Sequence, residues 1–120
     1  MITNFEVITA DLNENEKHLI PIVIAALKTK TIDNPVLSVD IVVGLNNSIA
    51  SGKISGKIIN DVKVRKMCNF IRANGLLPLI ATSKGYYVTQ DAAELEKQIK
   101  SLQERANSIM NAANGLRKFL

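Results

Sequence analysis

An α+β fold, mainly helical, is what this sequence of 120 residues predicts, and three patterns point to it. Apolar residues recur at steps of three and four in separate stretches before residue 75, two β-prone runs flank a turn signal between Leu76 and Thr89, and a last stretch of about thirty residues keeps one apolar stripe. The expected order is therefore helix, short extended segment, helix, helix, hairpin and long terminal helix. Residues 1–90 are read as one domain and 91–120 as a helix appended to it.

The first dozen residues mix Phe5, Val7 and Ile8 with polar positions and suggest an extended arm or short strand. Asn13 then precedes EKHLIPIVIAALKTK, where Leu19, Ile22, Val23, Ala26 and Leu27 share a helical face and Glu14 and Glu16 suit the positive end of the helix dipole. Pro21 is costly inside a helix, so the regular part is expected to start nearer Lys17. In TKTIDNPVL the residue before Pro35 is biased to extended geometry, and Ser38 is placed as the cap of a short second helix that Gly44 weakens. The glycine-containing stretch SIASGKISGKII is long for a turn between helices, so either the second helix runs on towards Ala50 or there is an insertion. Its two SGK units lack the spacing of a nucleotide-binding loop.

The stretch from Asn60 to Gly75 organises the rest. Val64, Met67, Cys68 and Ile71 form a buried stripe, Asn60 or Asp61 offers a capping oxygen, and Gly75 suits a left-handed close. Stepping from Val64 at 3.6 residues per turn places Lys63, Lys66, Asn69, Phe70 and Ala73 towards solvent, with Arg65 and Arg72 at the flanks. The hairpin follows, with Lys84 at its tip, Gly85 supplying a positive φ, and Pro78 marking an edge or bulge. Tyr86 and Tyr87 point to opposite faces, so one is expected in the core and the other outside. In the last thirty residues Ala92, Leu95, Ile99, Leu102, Ala106, Ile109, Ala113, Leu116 and Leu120 alternate steps of three and four over four heptads. A helix of that length outreaches a small domain, which implies either a second copy of the helix or a fold back onto its own domain.

Charge is sorted along the chain. Residues 1–52 carry six acids against three lysines, whereas residues 53–88 carry seven basic residues against Asp61 alone. Such a concentration suits a polyanion, since phosphate contacts that release counterions supply the sequence-independent part of DNA affinity. The start of the chain has acids and no base before Lys17, unlike a signal peptide, and no apolar run reaches the roughly 20 residues of a membrane span. A cytoplasmic protein without membrane contact is the expectation. Cys68 and His18 are too few for a zinc set or a nucleophile and base pair, so no metal, no cofactor and no enzymatic activity are expected.

Residues 14–89 resemble the winged helix-turn-helix domain in the order of their elements. The match extends to a group of small winged-helix proteins carried by bacterial phages and prophages, which share a VRKxxNxIRxxG unit, an SKGYY wing and an EELxxxIxSLxxR helix. Here those positions are Val64, Arg65, Lys66, Asn69, Ile71, Arg72 and Gly75, then Ser83 to Tyr87, then Leu95, Ile99, Ser101, Leu102 and Arg105. The stretch at 51–57 departs from the pattern. The resemblance implies the fold and an association with DNA; with the long terminal helix it leads to a first reading as a dimer on double-stranded DNA, a phage-type transcription regulator or replication accessory. In that reading Lys63, Lys66 and Asn69 face the major groove, Arg65, Arg72 and Lys84 hold phosphates, and Leu95, Ile99, Leu102, Ile109 and Leu116 join the two copies. Reversing Lys66 and Lys84 to Glu is then expected to abolish binding and leave the fold intact. A module of the same fold that binds proteins and no DNA is the alternative.

Overall fold

The computed structural model describes residues 10–120, so the arm expected around Phe5, Val7 and Ile8 lies outside the described residues. The chain divides after Thr89 into two compact units. The first holds helices α1 (Glu14–Leu27), α2 (Ser38–Ala50) and α3 (Asp61–Ala73), followed by strands β1 (Leu79–Thr82) and β2 (Gly85–Val88). The second is α4 (Ala92–Leu116) with a closing 3-10 turn at Arg117–Phe119. The chain is thus α+β and mainly helical, with one antiparallel hairpin and a long terminal helix.

Helix α1 begins at Glu14, earlier than its proline suggests, because its first turn is closed from both sides. The Asn13 side chain accepts from the Glu16 amide at 2.8 Å, and Glu16 Oε1 accepts from the Asn13 amide at 2.8 Å. Pro21 sits inside the helix. Pro21 and Lys17 are both exposed, so the backbone bond that the proline removes falls on the solvent side of the helix. Leu19, Val23 and Leu27 are fully buried and meet Ile41 and Leu45 of α2, Val64, Met67, Cys68 and Ile71 of α3, and Leu79 of β1 in one core.

Ser38 is not the cap of α2. Leu37 holds that position without a side-chain bond, and the Ser38 hydroxyl instead donates to Asp61 Oδ1, tying the first turns of α2 and α3 together. The helix runs through Gly44 to Ala50 and still leaves residues 51–60 as a connection. Two asparagines hold that connection as a neighbouring strand would. Asn15 donates to the Lys57 carbonyl at 3.1 Å and accepts its amide at 2.9 Å, while Asn46 does the same for Ile59 at 2.8 and 2.9 Å. Ile59 is thereby buried in the core, and the long connection is pinned to α1 and α2 at residues 57 and 59.

Helix α3 starts on Asn60, whose side chain accepts from the Lys63 amide at 2.9 Å. It ends in paired bonds from the Leu76 amide to the Ile71 carbonyl and from the Gly75 amide to the Arg72 carbonyl, with Gly75 at φ +64°. That is the left-handed closure expected of this glycine.

In the hairpin Leu79 faces Val88 and Thr82 faces Gly85, leaving Ser83 and Lys84 in the turn. The paired part starts after Pro78, shorter than the apolar run from Leu76. On the outer side of β2, Val36 adds one further rung: its amide donates to the Tyr86 carbonyl at 2.9 Å and the Tyr86 amide returns the bond at 2.8 Å. This explains Gly85 beyond its φ of +125°, because a Cβ there would lie 2.5 Å from the Val36 carbonyl oxygen. Gly85→Ala is accordingly expected to cost about 2–3 kcal/mol. A thermal melt should show a fall of roughly 10 °C.

Candidate nucleic-acid interface

Helix α3 presents two different flanks. On one, Lys66 was expected to face solvent, but its side chain is only 13% exposed and its ammonium lies 2.8 Å from Glu16 Oε1. The Glu16 carboxylate is buried, and its Oε1 serves both this lysine and the Asn13 amide, while Oε2 has no hydrogen-bond partner among the described residues. The reason for the difference is that a helical wheel orders side chains around one helix and is blind to what the neighbouring helix presents. Lys66 lies where α3 meets the first turn of α1, and a buried carboxylate there demands a cation. Charge reversal at Lys66 would set two carboxylates together in the interior, so it perturbs the fold as well as any ligand contact.

Beside Lys66 runs a groove of about 280 Å³ lined by Asp11, Leu12, Lys66, Asn69, Phe70 and Ala73. Asn69 is half-buried along it, Phe70 is partly exposed, and the Asp11 carboxylate gives its rim an acid. The face predicted from periodicity is thus partly walled by residues 10–12. Lys63, one turn earlier, is half-buried.

The other flank carries Arg65 and Arg72, both half-buried, and faces Tyr86 of β2. Tyr86 is half-buried and hydrogen-bonds the Cys68 thiol, whereas Tyr87 is in the interior, so neither phenol is fully outside. Burial pushes the Tyr86 hydroxyl from its ordinary 10.0 up to about 12, and the Cys68 thiol adds to this, against the pull of Arg65 and Arg72. Burial likewise pushes Cys68 from 9.0 up to about 12, against its bond with Tyr86 and the charge of Arg72. Both groups are neutral when protonated and hold their protons more tightly in the folded chain. Their contribution is therefore complete below about pH 9 and is lost as pH rises towards 12. Urea unfolding midpoints should fall across that window, and a thiol reagent at about pH 8 should modify Cys68 only after denaturation.

Lys84 stands exposed at the hairpin turn, where the Thr82 hydroxyl accepts from its amide at 3.2 Å. Lys53 and Lys57 are exposed on the pinned segment before α3. His18, for which the sequence offers no partner, contacts Ser55 through Nε2, at 3.0 Å from its carbonyl oxygen and 2.9 Å from its hydroxyl. Asn15 and Asn46, which hold the segment before α3, were not singled out by sequence reasoning, and Glu16 was read only as a match for the helix dipole. The one signal for them is polar residues at inward positions of α1 and α2.

Among the described residues no group of three His, Cys, Asp or Glu side chains could hold a metal ion, and no helix is long and apolar enough to cross a membrane. The expected joining residues sit on α4: Leu95 and Leu102 are half-buried, while Ile99, Ile109 and Leu116 are exposed. No protein-family model, curated protein or solved structure matches the chain.

Proposed function

We propose that the chain is a winged-helix protein of the phage type that binds double-stranded DNA as a dimer, acting as a transcription regulator or replication accessory. The observation that carries this reading is the rung at Val36. It sets an isolated bridge against the two-stranded hairpin beside three helices, an arrangement compatible with a winged helix, and the seven basic residues of the 53–88 stretch lie on the third helix, the hairpin tip and the segment before that helix. The contacts proposed are Lys63, Arg65, Arg72 and Lys84 to phosphates, with Asn69 nearest the bases. Lys66 is left out, since its charge belongs to Glu16. A fluorescence titration on random duplex at two salt concentrations tests the reading, and affinity that does not respond to salt would remove it.

A protein-binding module is the second reading, favoured by an apolar groove of about 300 Å³ between α1 and α2 that is lined by Ile22, Val23, Ala26, Ile41 and Leu45 among others. A pull-down returning one stoichiometric protein and no enriched DNA would select it.

A further inference from the structure

We propose that the distal half of α4, from Leu102 to Leu116, pairs with the same segment of a second copy of the chain in antiparallel orientation, about a two-fold axis beside Asn111. This deepens the dimer half of the proposed function and stands without any contact to DNA. Every residue from Gln103 onward is exposed, including Ile109 at 54%, Met110 at 55%, Leu116 at 70% and Leu120 at 106%. A helix of 25 residues is roughly 38 Å long, and one stripe of it stays apolar to its end. Such a stripe is a surface for another apolar face.

The orientation follows from which stripe positions are small. Each step of three in the distal half begins on an alanine, Ala106 or Ala113, and each step of four begins on Leu102, Ile109 or Leu116. In a parallel pair like meets like, so layers of Ala on Ala would alternate with Ile on Ile and Leu on Leu. Two helices at one spacing cannot close the first without overpacking the second, and voids cost stability. Antiparallel pairing removes the conflict. Ala106 meets the partner's Leu116, and Ile109 meets the partner's Ala113.

The flanking positions agree. The antiparallel register places Met110 beside the partner's Met110, so that both exposed thioethers flank the axis.

Cross-linking of the full chain decides the matter, because the native Cys68 thiol is buried and the parent protein serves as the blank. Ala106→Cys and Leu116→Cys are made as separate, differently tagged proteins. In the antiparallel register each new thiol is displaced by roughly 15 Å from its own copy, beyond disulfide reach, while the two kinds face each other. The expected result is a disulfide-linked species in the mixture and none in either protein alone, without DNA present. Self-linking of either variant would establish a parallel pair and overturn the proposal. Sedimentation gives the second arm: Leu116→Asp should be monomeric at concentrations where the parent is a dimer, with an unchanged circular dichroism spectrum. A monomeric parent, or an aspartate variant that stays dimeric, would equally overturn it, and neither result bears on the salt-dependent titration of duplex DNA.

Discussion

Lys66→Met should destabilise the protein by about 3–5 kcal/mol, the cost of leaving a buried carboxylate without its cation. The Glu16 side chain is 1% exposed, so water has little access to take the place of the ammonium, and Oε2 already lacks a hydrogen-bond partner among the described residues. Since a domain of this size holds only about 5–15 kcal/mol in all, the variant should unfold at a much lower urea concentration than the parent. The same geometry states what restores it. Glu16→Gln removes the charge but keeps an acceptor for the Asn13 amide, so the double variant Glu16→Gln, Lys66→Met should regain most of the loss. A double variant no more stable than Lys66→Met alone would show that the ion pair is not what holds α1 to α3. The earlier expectation that Lys66 could be reversed to Glu with the fold intact is replaced by this one.

The second large effect concerns salt. If Lys63, Arg65, Arg72 and Lys84 each neutralise one phosphate, log affinity for duplex should fall against log salt with a slope of about −3.6. Raising salt from about 50 to 200 mM would then weaken binding roughly 100-fold. Lys84→Glu is the informative variant, because its side chain is exposed at the hairpin turn and its loss leaves the core untouched. It should lower affinity and flatten the slope by about 0.9 or more at unchanged melting temperature. Glu16→Gln, Lys66→Met should retain the parent slope. A slope that flattens in this double variant and holds in Lys84→Glu would reverse the assignment of contacts made for α3.

The helices and the hairpin could be read along the chain because the forces that mark them are local. Asn13 and Asn60 cap the turns that follow them, Gly75 closes α3 two residues beyond its end, and the stripe of α4 repeats within single heptads. The use of each charge could not be read that way. Lys66 and Glu16 are fifty residues apart, and only the packing of α3 on α1 brings a carboxylate into the interior where a cation must follow it. Gly85 was chosen for its φ, yet the stronger constraint is the backbone of Val36, which arrives from the far end of another connection. Asn15 and Asn46 read as ordinary polar residues until residues 57 and 59 are laid against them. Periodicity sets where a side chain points from its own helix. Whether that direction leads to water, to an opposite charge or to a backbone amide depends on contacts between distant segments, which the folded chain alone supplies.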